Sequence, residues 1–262
     1  MLQNIPFESL FKICEKCGEK YFRTCFNCFP TEEMILQKKR YEFKCEKCNK
    51  DFFTIGGSER RFCDNCGILN EIDNRIHLLY LPRRYENSNF DTYIEKSDNQ
   101  KKMKECCLEW LENDKGLYLG GGIGCGKTHL AISCIKELAL KYDPNCMKFM
   151  PVSELLLQIR GTFNDKNGED ESDIVEKYSN YTYLVLDDFG NQKVSEFVVE
   201  TLYLIINARY NANKNKIIIT SNLELQELSK MFDDRIASRL NEMCKVTYFK
   251  LPDYRQEKKG KW

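Results

Sequence analysis

A glycine-rich stretch near the middle of the chain constrains the fold more than any other feature. It contains the pattern G-x-x-x-x-G-K-T between Gly121 and Thr128. An apolar run at 117–119 precedes it as a predicted strand, and an apolar-periodic segment at 128–135 follows it as a predicted helix. Glycines let the backbone aim its N–H groups at a polyphosphate, and the helix N-terminus adds its positive dipole end. The pattern therefore predicts a nucleoside triphosphate site in preference to a chance glycine-rich turn.

The sequence pattern assigns specific roles in binding the triphosphate and Mg²⁺ to individual residues of this loop. Lys127 is expected to reach the outer phosphates, and the Thr128 hydroxyl is expected to ligate Mg²⁺. The residues expected to surround the nucleotide are Gly121, Gly122, Ile123, Gly124, Cys125, Gly126, Lys127, Thr128 and His129.

A second apolar run, 183–186, ends in two acids and predicts a central parallel strand. Asp187 and Asp188 stand at its carboxyl end, where α/β folds bind ligands. We expect Asp187 to hold Mg²⁺ through water and Asp188 to act as a base or to orient the attacking water. Two acids at a strand end can also cap a helix, but their distance from the glycine-rich loop favours the nucleotide site.

The remaining pattern alternates strands and helices, which is typical of a parallel sheet flanked by helices. Strands are predicted at 147–150, 216–222 and 245–249, and helices at 101–112, 152–159, 173–178, 194–213 and 233–240. Two readings of Asn222 stay open: it bonds the attacking water or the terminal phosphate, or it caps the helix beginning near Leu223. Arg235 and Arg239 are four residues apart and share a helix face.

Length and charge limit the classes of protein this chain can be. Its 262 residues accommodate one nucleotide-binding domain and a smaller companion. Lys and Arg number 40 and so do Asp and Glu, so any nucleic-acid contact must come from a local patch. No apolar run has the length of a membrane span and the N-terminus lacks a signal-peptide pattern, so we expect a cytoplasmic protein.

Four C-x-x-C pairs in the first quarter of the chain predict zinc binding. Each pair can form a knuckle with two thiolates on one ion, and two knuckles complete a tetrahedral site. Sequential pairing is favoured, with Gly18 and Gly67 in tight turns after two knuckles, and an interleaved pairing stays open. The predicted ligands of two structural Zn²⁺ sites are Cys14, Cys17, Cys25 and Cys28, and Cys45, Cys48, Cys63 and Cys66.

Two roles are open for such a domain. The metal sites only stabilise a segment too small to build its own hydrophobic core, or the domain also presents a surface to a partner. The stretch 45–67 resembles a zinc ribbon. The predicted organisation is a cysteine-rich zinc-binding domain at 1–80 and a nucleotide-binding domain at 81–262.

Residues from about Pro82 to Phe249 resemble the DnaC-type helicase loaders, within a group of AAA+ ATPases that also includes the IstB-type transposition helpers. The resemblance is carried by the segments 82–90, 121–131, 184–190, 207–210, 219–223 and 235–240. It implies an α/β fold with an AAA+ P-loop core, a parallel sheet flanked by helices, and a small zinc-ribbon-like N-terminal domain. The chain ends soon after the last predicted strand, which leaves no room for a C-terminal helical lid.

The same resemblance implies roles for single residues. Lys127 and Thr128 are the Walker A pair, Asp187 is the Walker B magnesium acid and Asn222 is sensor I. Arg239 matches the arginine finger that completes a neighbouring subunit's site, with Arg235 as the second choice. Asp188 stands where most AAA+ members have Glu; its shorter reach can slow hydrolysis, although loaders commonly share the Asp.

The implied function is ATP-dependent loading of a replicative DNA helicase, with slow, Mg²⁺-dependent hydrolysis of ATP stimulated by a partner or DNA. The zinc domain is expected to bind the hexameric helicase, and the core to bind single-stranded DNA and to form homo-oligomers with ATP. The alternatives are an IstB-type transposition helper on duplex DNA with a transposase, and a nucleotide-gated adaptor that barely turns over. Arg160 and Lys166 are candidate DNA contacts, and Phe90 and Tyr93 are candidate adenine contacts.

Overall fold

The structure is a computed structural model that describes residues 12–13, 20–21, 40–55, 64–162 and 170–254. The chain divides into two compact units, Met1–Asn74 and Arg75–Trp262. No helix among the described residues is both long enough and apolar enough to cross a membrane.

The first unit contains two short antiparallel pairs of strands. Strands β1 (Lys12–Ile13) and β2 (Lys20–Tyr21) form one pair, and β3 (Arg40–Lys44) and β4 (Asp51–Ile55) form the other. Helix α1 (Asp64–His77) follows and runs past the division between the units. Gly67 lies inside this helix, so the prediction that it forms a turn after a metal knuckle is wrong.

The predicted zinc ligands fall mostly outside the described part of the chain. Cys14, Cys17, Cys25, Cys28 and Cys63 lie outside the described residues, as does the side chain of Cys66. Cys45 and Cys48 share the turn between β3 and β4, where the N–H of Asn49 donates to the carbonyl of Cys45 at 2.8 Å. Among the described side chains, no group of three or more His, Cys, Asp or Glu could hold a metal ion. The two zinc sites therefore stay a prediction.

The second unit alternates helices and strands in the predicted order. After α1 come α2 (Asp98–Glu112), β5 (Gly116–Gly121), α3 (Lys127–Lys141), β6 (Met147–Pro151), α4 (Val152–Thr162), α5 (Glu171–Asn180), β7 (Tyr183–Phe189), α6 (Glu196–Asn211), β8 (Ile217–Ser221), α7 (Leu225–Met231), α8 (Asp234–Met243) and β9 (Cys244–Phe249). Helix α2 begins earlier than predicted because the Ser97 side chain accepts from the N–H of Gln100 and caps it. Helix α5 is likewise longer, with Asp170 and Asp173 forming a capping box.

The five strands β5 to β9 form one parallel sheet in the order β6-β7-β8-β5-β9. This arrangement confirms the predicted α/β core. Successive side chains of a strand point to opposite faces of a sheet, so the strands contribute side chains to a hydrophobic core on each face. Leu184, Leu186 and Ile219 pack with α4, α5, α6 and α8 on one face. Leu119 and Ile218 pack with α2 and α3 on the other.

A buried arginine joins α6 to the sheet. Arg209 is 0 % exposed and donates to the carbonyls of Tyr181 at 2.6 Å, Ser179 at 3.2 Å and Lys216 at 3.2 Å. These carbonyls belong to the last turn of α5 and to the residues that lead into β7 and β8. Arg209 therefore fixes the entry of the two strands whose opposite ends carry Asp187 and Asn222.

Candidate nucleotide-binding site

The phosphate loop lies between the end of β5 at Gly121 and the start of α3 at Lys127. Gly124 and Gly126 have φ values of 70° and 99°, in the left-handed region that favours glycine. A Cβ at Gly126 would lie 2.7 Å from the ring of Tyr93. The loop therefore has the close-packed, helix-capping form that aims backbone N–H groups at an anion.

Lys127 joins the phosphate loop to the end of β8. Its Nζ donates to the carbonyls of Gly121 at 2.8 Å and Gly122 at 2.7 Å, and to Asn222 Oδ1 at 2.8 Å. Burial lowers the pKa of Lys127, and the charges of Asp188 and Asp187 act in the opposite direction.

Asn222 is not a helix cap. Helix α7 begins at Leu225 and its N-cap is Glu224, so the capping alternative for Asn222 is wrong. Its side chain instead faces Lys127 and donates to Asn191 Oδ1 at 3.0 Å. The strand end thus presents an amide to the cavity above the phosphate loop.

Asp187 is buried and is held by two hydroxyl groups. Thr128 Oγ1 donates to Asp187 Oδ1 at 2.8 Å, and Thr220 Oγ1 donates to the same oxygen at 2.6 Å. Burial raises the pKa of Asp187, as does the charge of Asp188, while the two hydroxyl hydrogen bonds lower it. The structure therefore brings together Thr128 and Asp187, the two residues predicted to serve Mg²⁺.

Asp188 has an unusual backbone conformation. Its φ is +57°, which is uncommon for a residue other than glycine. Its N–H donates to Thr220 Oγ1 at 3.0 Å, and its carbonyl accepts from Gln192 Nε2 at 2.8 Å. Strained residues are often found at functional sites, and Asp188 lines the same cavity as Lys127 and Thr128. Thr220 contacts both acids, and sequence reasoning missed it.

Two adjoining cavities share the phosphate loop. One, of about 410 Å³, is lined by residues 123–129 together with Asp188, Asn191 and Asn222. The other, of about 310 Å³, is lined by the loop and by residues before α2 such as Arg84 and Tyr93. Both volumes fall in the range of small-molecule sites. The first has the lining expected for a triphosphate and the second has room for a nucleoside.

The two candidate adenine contacts have different surroundings. Tyr93 lines the smaller cavity, whereas Phe90 is buried in the core beneath α3 and is absent from the described lining residues. The segment that carries them is tied to α3 by two side chains that sequence reasoning either missed or assigned otherwise. Lys136 Nζ donates to the carbonyls of Tyr85, Glu86 and Ser88 at 3.1, 2.7 and 2.9 Å.

His129 is the second tie. Its Nε2 lies 2.8 Å from the carbonyl of Asn89, which makes it the donor in that pair. Burial lowers the pKa of His129. The residue lines both cavities, but the described hydrogen-bonding partners of its side chain belong to the segment before α2. His129 therefore ties a wall of the smaller cavity to α3.

The two arginines of α8 stack on one tyrosine. The Arg235 and Arg239 guanidinium carbons lie 4.3 and 4.9 Å from the ring centroid of Tyr203. Arg239 also donates to Asn207 Oδ1 at 2.9 Å and to the Tyr203 hydroxyl at 3.2 Å. Within the described residues, neither arginine lines the two cavities of its own chain. Action of either arginine on a neighbouring subunit stays a prediction.

The candidate DNA contacts have little structural support. The Arg160 guanidinium lies 5.3 Å from the ring centroid of Phe197, so it already has a partner within the chain. Lys166 lies outside the described residues.

Comparisons with known proteins identify the family. The model of the IstB-like ATP binding protein family matches residues 70–261. The chain belongs to this family. The replicative helicase loader DnaC of Buchnera aphidicola subsp. Acyrthosiphon pisum is 27% identical over 182 residues, which are 67% of this chain and 72% of that protein. The resemblance to the DnaC and IstB group is therefore confirmed.

Solved structures agree with the fold. A crystal structure of the DnaC helicase loader superposes with a TM-score of 0.55 at 28% identity and covers 64% of this chain and 99% of the other. A structure of DnaI gives a TM-score of 0.56 at 21% identity, covers 65% of this chain and 95% of the other, and supports the fold alone. The AAA+ P-loop core predicted from the sequence is thus confirmed.

Proposed function

We propose that this protein is an ATP-dependent loader of a replicative DNA helicase. One observation carries the proposal. In a chain whose relatives include proteins named replicative helicase loaders, the ends of β5, β7 and β8 bring Lys127, Asp188 and Asn222 to the lining of one cavity, and the buried Asp187 accepts from Thr128 beside it. A glycine-rich turn without a nucleotide-binding role does not require these polar residues at the neighbouring strand ends.

The residues of the cavity fit ATP with Mg²⁺. Lys127 donates to two loop carbonyls and Asn222, and it redirects a donor to the outer phosphates when nucleotide enters. Thr128 and Asp187 are adjacent oxygen donors of the kind Mg²⁺ prefers and would hold the ion, whose charge would offset that of the phosphates. Asp188 orients the attacking water, and Asn222 keeps Lys127 directed at the cavity. Hydrolysis to ADP and phosphate follows from these roles.

Arg239 completes the site of a neighbouring copy. Its guanidinium is always charged and planar, which suits it to phosphoryl charge in transfer. Because it lies away from the cavities of its own chain, full hydrolysis needs an ATP-dependent homo-oligomer. Turnover is therefore slow in the isolated protomer and rises on assembly with partner or DNA.

The cysteine-rich residues 1–80, stapled by Zn²⁺ at two structural sites, bind the hexameric helicase. The core at 81–262 binds single-stranded DNA as well as ATP. Nucleotide state, read by Lys127, Asp187 and Arg239, governs opening of the helicase ring and release of the loader.

The test uses the full chain and the replicative helicase encoded in the same genome. Light scattering after size-exclusion chromatography measures their complex with and without Mg·ATP, and a strand-displacement assay measures loading onto circular single-stranded DNA. We expect a complex and loading with the wild type, and a complex without productive loading for Lys127→Ala. Lys141→Ala, at the other end of α3, is the matched control and should behave as the wild type. Failure of the wild type to bind the helicase under either condition refutes the loader assignment.

A second candidate is a transposition helper that binds duplex DNA and a transposase. It is favoured by the name of the matching family, the IstB-like ATP binding proteins. Stimulation of ATP hydrolysis by single-stranded but not duplex DNA supports the loader, and the reverse preference supports the helper.

A further inference from the structure

The residues after β9 contact the phosphate loop directly. We call Leu251–Tyr254 the strap. The N–H of Tyr254 donates to the carbonyl of Gly124 at 3.2 Å. A Cβ at Gly124 would collide with the carboxylate of Asp253, and a Cβ at Gly122 would lie 3.1 Å from the Leu251 carbonyl. The strap therefore runs along the loop that is expected to hold the triphosphate.

Tyr254 lines both cavities of the site. The residues common to the two linings are Gly124, Cys125, Gly126, His129 and Tyr254. The first four belong to the phosphate loop and to the first turn of α3. Tyr254 is thus the single shared lining residue that comes from another part of the described chain. It stands at the junction where a nucleoside would meet its phosphates.

The ring of Tyr254 contacts a side chain of the segment before α2. Lys96 Nζ lies 5.1 Å from its centroid, a distance at which a cation is attracted to an aromatic face. The backbone N–H of Lys96 donates to Gln100 Oε1 at 2.8 Å, and Gln100 lines the smaller cavity. Tyr254 is therefore positioned by its backbone hydrogen bond to the phosphate loop and by the contact of its ring with Lys96 in the segment before α2.

We propose that Tyr254 is a nucleotide-contacting residue and that the strap forms one wall of the nucleoside cavity. The inference rests on the proposed ATP site at the phosphate loop, and it adds a discriminating element to that site. The aromatic face contacts the nucleoside, so the strap favours a nucleoside triphosphate over bare polyphosphate. Aromatic rings bind bases through their π-faces, and the interaction is lost when the ring is replaced by a methyl group.

Calorimetry with the full chain tests this inference using two ligands, Mg·ATP and Mg·tripolyphosphate. Loss of a base-stacking ring weakens binding by about 5- to 100-fold, so Tyr254→Ala should bind Mg·ATP at least about fivefold more weakly. Its affinity for Mg·tripolyphosphate should stay within about twofold of the wild type, because no stacking partner is present. Tyr254→Phe keeps the ring and should bind ATP as the wild type does. Tyr80→Ala, which removes a tyrosine that is 77 % exposed and outside the described linings, is the matched control.

Equal ATP affinity of Tyr254→Ala and the wild type overturns the inference. So does an equal loss for ATP and tripolyphosphate, because the residue would then act only by shaping the phosphate loop. A wild type that binds no Mg·ATP overturns both this inference and the proposed ATP site. A wild type that binds ATP but no helicase overturns the loader assignment and leaves the role of Tyr254 standing. Thermal unfolding of each variant checks that the chain remains folded.

Discussion

Replacement of Thr220 by valine tests whether the Thr220 hydroxyl stabilises the ionised form of Asp187, because it removes the hydroxyl and keeps the shape of the side chain. The hydroxyl of Thr220 donates to Asp187 Oδ1 at 2.6 Å and accepts from the N–H of Asp188 at 3.0 Å. Valine keeps the branched shape and removes both hydrogen bonds. The carboxylate of Asp187, which burial already disfavours, then has one hydroxyl donor fewer. The pKa of Asp187 should therefore rise further in Thr220→Val.

The size of the effect follows from the kind of hydrogen bond lost. A hydrogen bond to a charged group contributes about 1.5–3 kcal/mol, and 2.6 Å is the length typical of a hydroxyl bound to a carboxylate. Because Mg²⁺ binding needs the ionised acid, the acid limb of Mg·ATP binding and of hydrolysis should move to higher pH. Binding and turnover measured from about pH 5 to pH 9 report this shift. ATP binding in the presence of EDTA should be much less sensitive.

Ser221→Ala is the matched control for this variant. The Ser221 hydroxyl, one residue along β8, also makes two hydrogen bonds, donating to the Phe189 carbonyl at 2.6 Å and accepting from the N–H of Leu223 at 3.1 Å. Both variants should lose stability, by about 1–3 kcal/mol each. Only Thr220→Val should shift the pH profile. Identical profiles for the two variants would refute the assignment of Thr220 as the residue that keeps Asp187 ionised.

Three further perturbations test other contacts. Arg209→Met should lower the free energy of unfolding in urea by about 3–5 kcal/mol, because four backbone carbonyls lose a buried donor. Lys214→Met, which removes a surface hydrogen bond to Asn180, should cost less than about 1 kcal/mol, and an equally small effect of Arg209→Met would contradict its role. Tyr203→Ala should abolish assembly-dependent ATP hydrolysis, because Arg239 loses the ring that positions it. Mixing this variant with Lys127→Ala should restore hydrolysis, because Lys127→Ala protomers supply intact arginines to the intact phosphate loops of the Tyr203→Ala protomers. Absence of this complementation argues against action on a neighbour. Burial lowers the pKa of His129, so below about pH 6.5 the unfolded chain takes up a proton more readily than the folded chain. The wild type should therefore lose thermal stability as pH falls below about 6.5. His129→Gln should lose less stability over the same pH range.

Much of the core was predictable because its signals are local. The apolar runs that became β5, β7 and β8 are continuous, as strands buried on both faces must be. The glycine-rich turn and the acids after β7 stand at strand ends, so parallel pairing alone brings them to one edge of the sheet. That reasoning placed Lys127 and Asp187 without any knowledge of the strand order.

The residues that sequence reasoning missed act through contacts between distant segments. Thr220 looks like an ordinary β-branched strand residue until β7 and β8 pair and set its hydroxyl between two acids. Lys136 lies on α3, and its three described acceptors are about 50 residues earlier in the chain. Tyr254 follows the last strand, and its position at the cavities depends on the path of the strap. Such roles are tertiary, and no local pattern encodes them.

Gly120, the first glycine of the run at the centre of the chain, is explained by strand packing and not by the phosphate loop. It precedes the G-x-x-x-x-G-K-T pattern, and its backbone faces β9, where a Cβ would lie 2.7 Å from the ring of Tyr248 and 2.9 Å from the carbonyl of Thr247. Alanine at this position would have to push the outermost strand of the sheet aside. Part of this glycine cluster is therefore required by the packing of β9 and not by the phosphate loop. The absence of a side chain at Gly120 lets the last strand pack directly against β5.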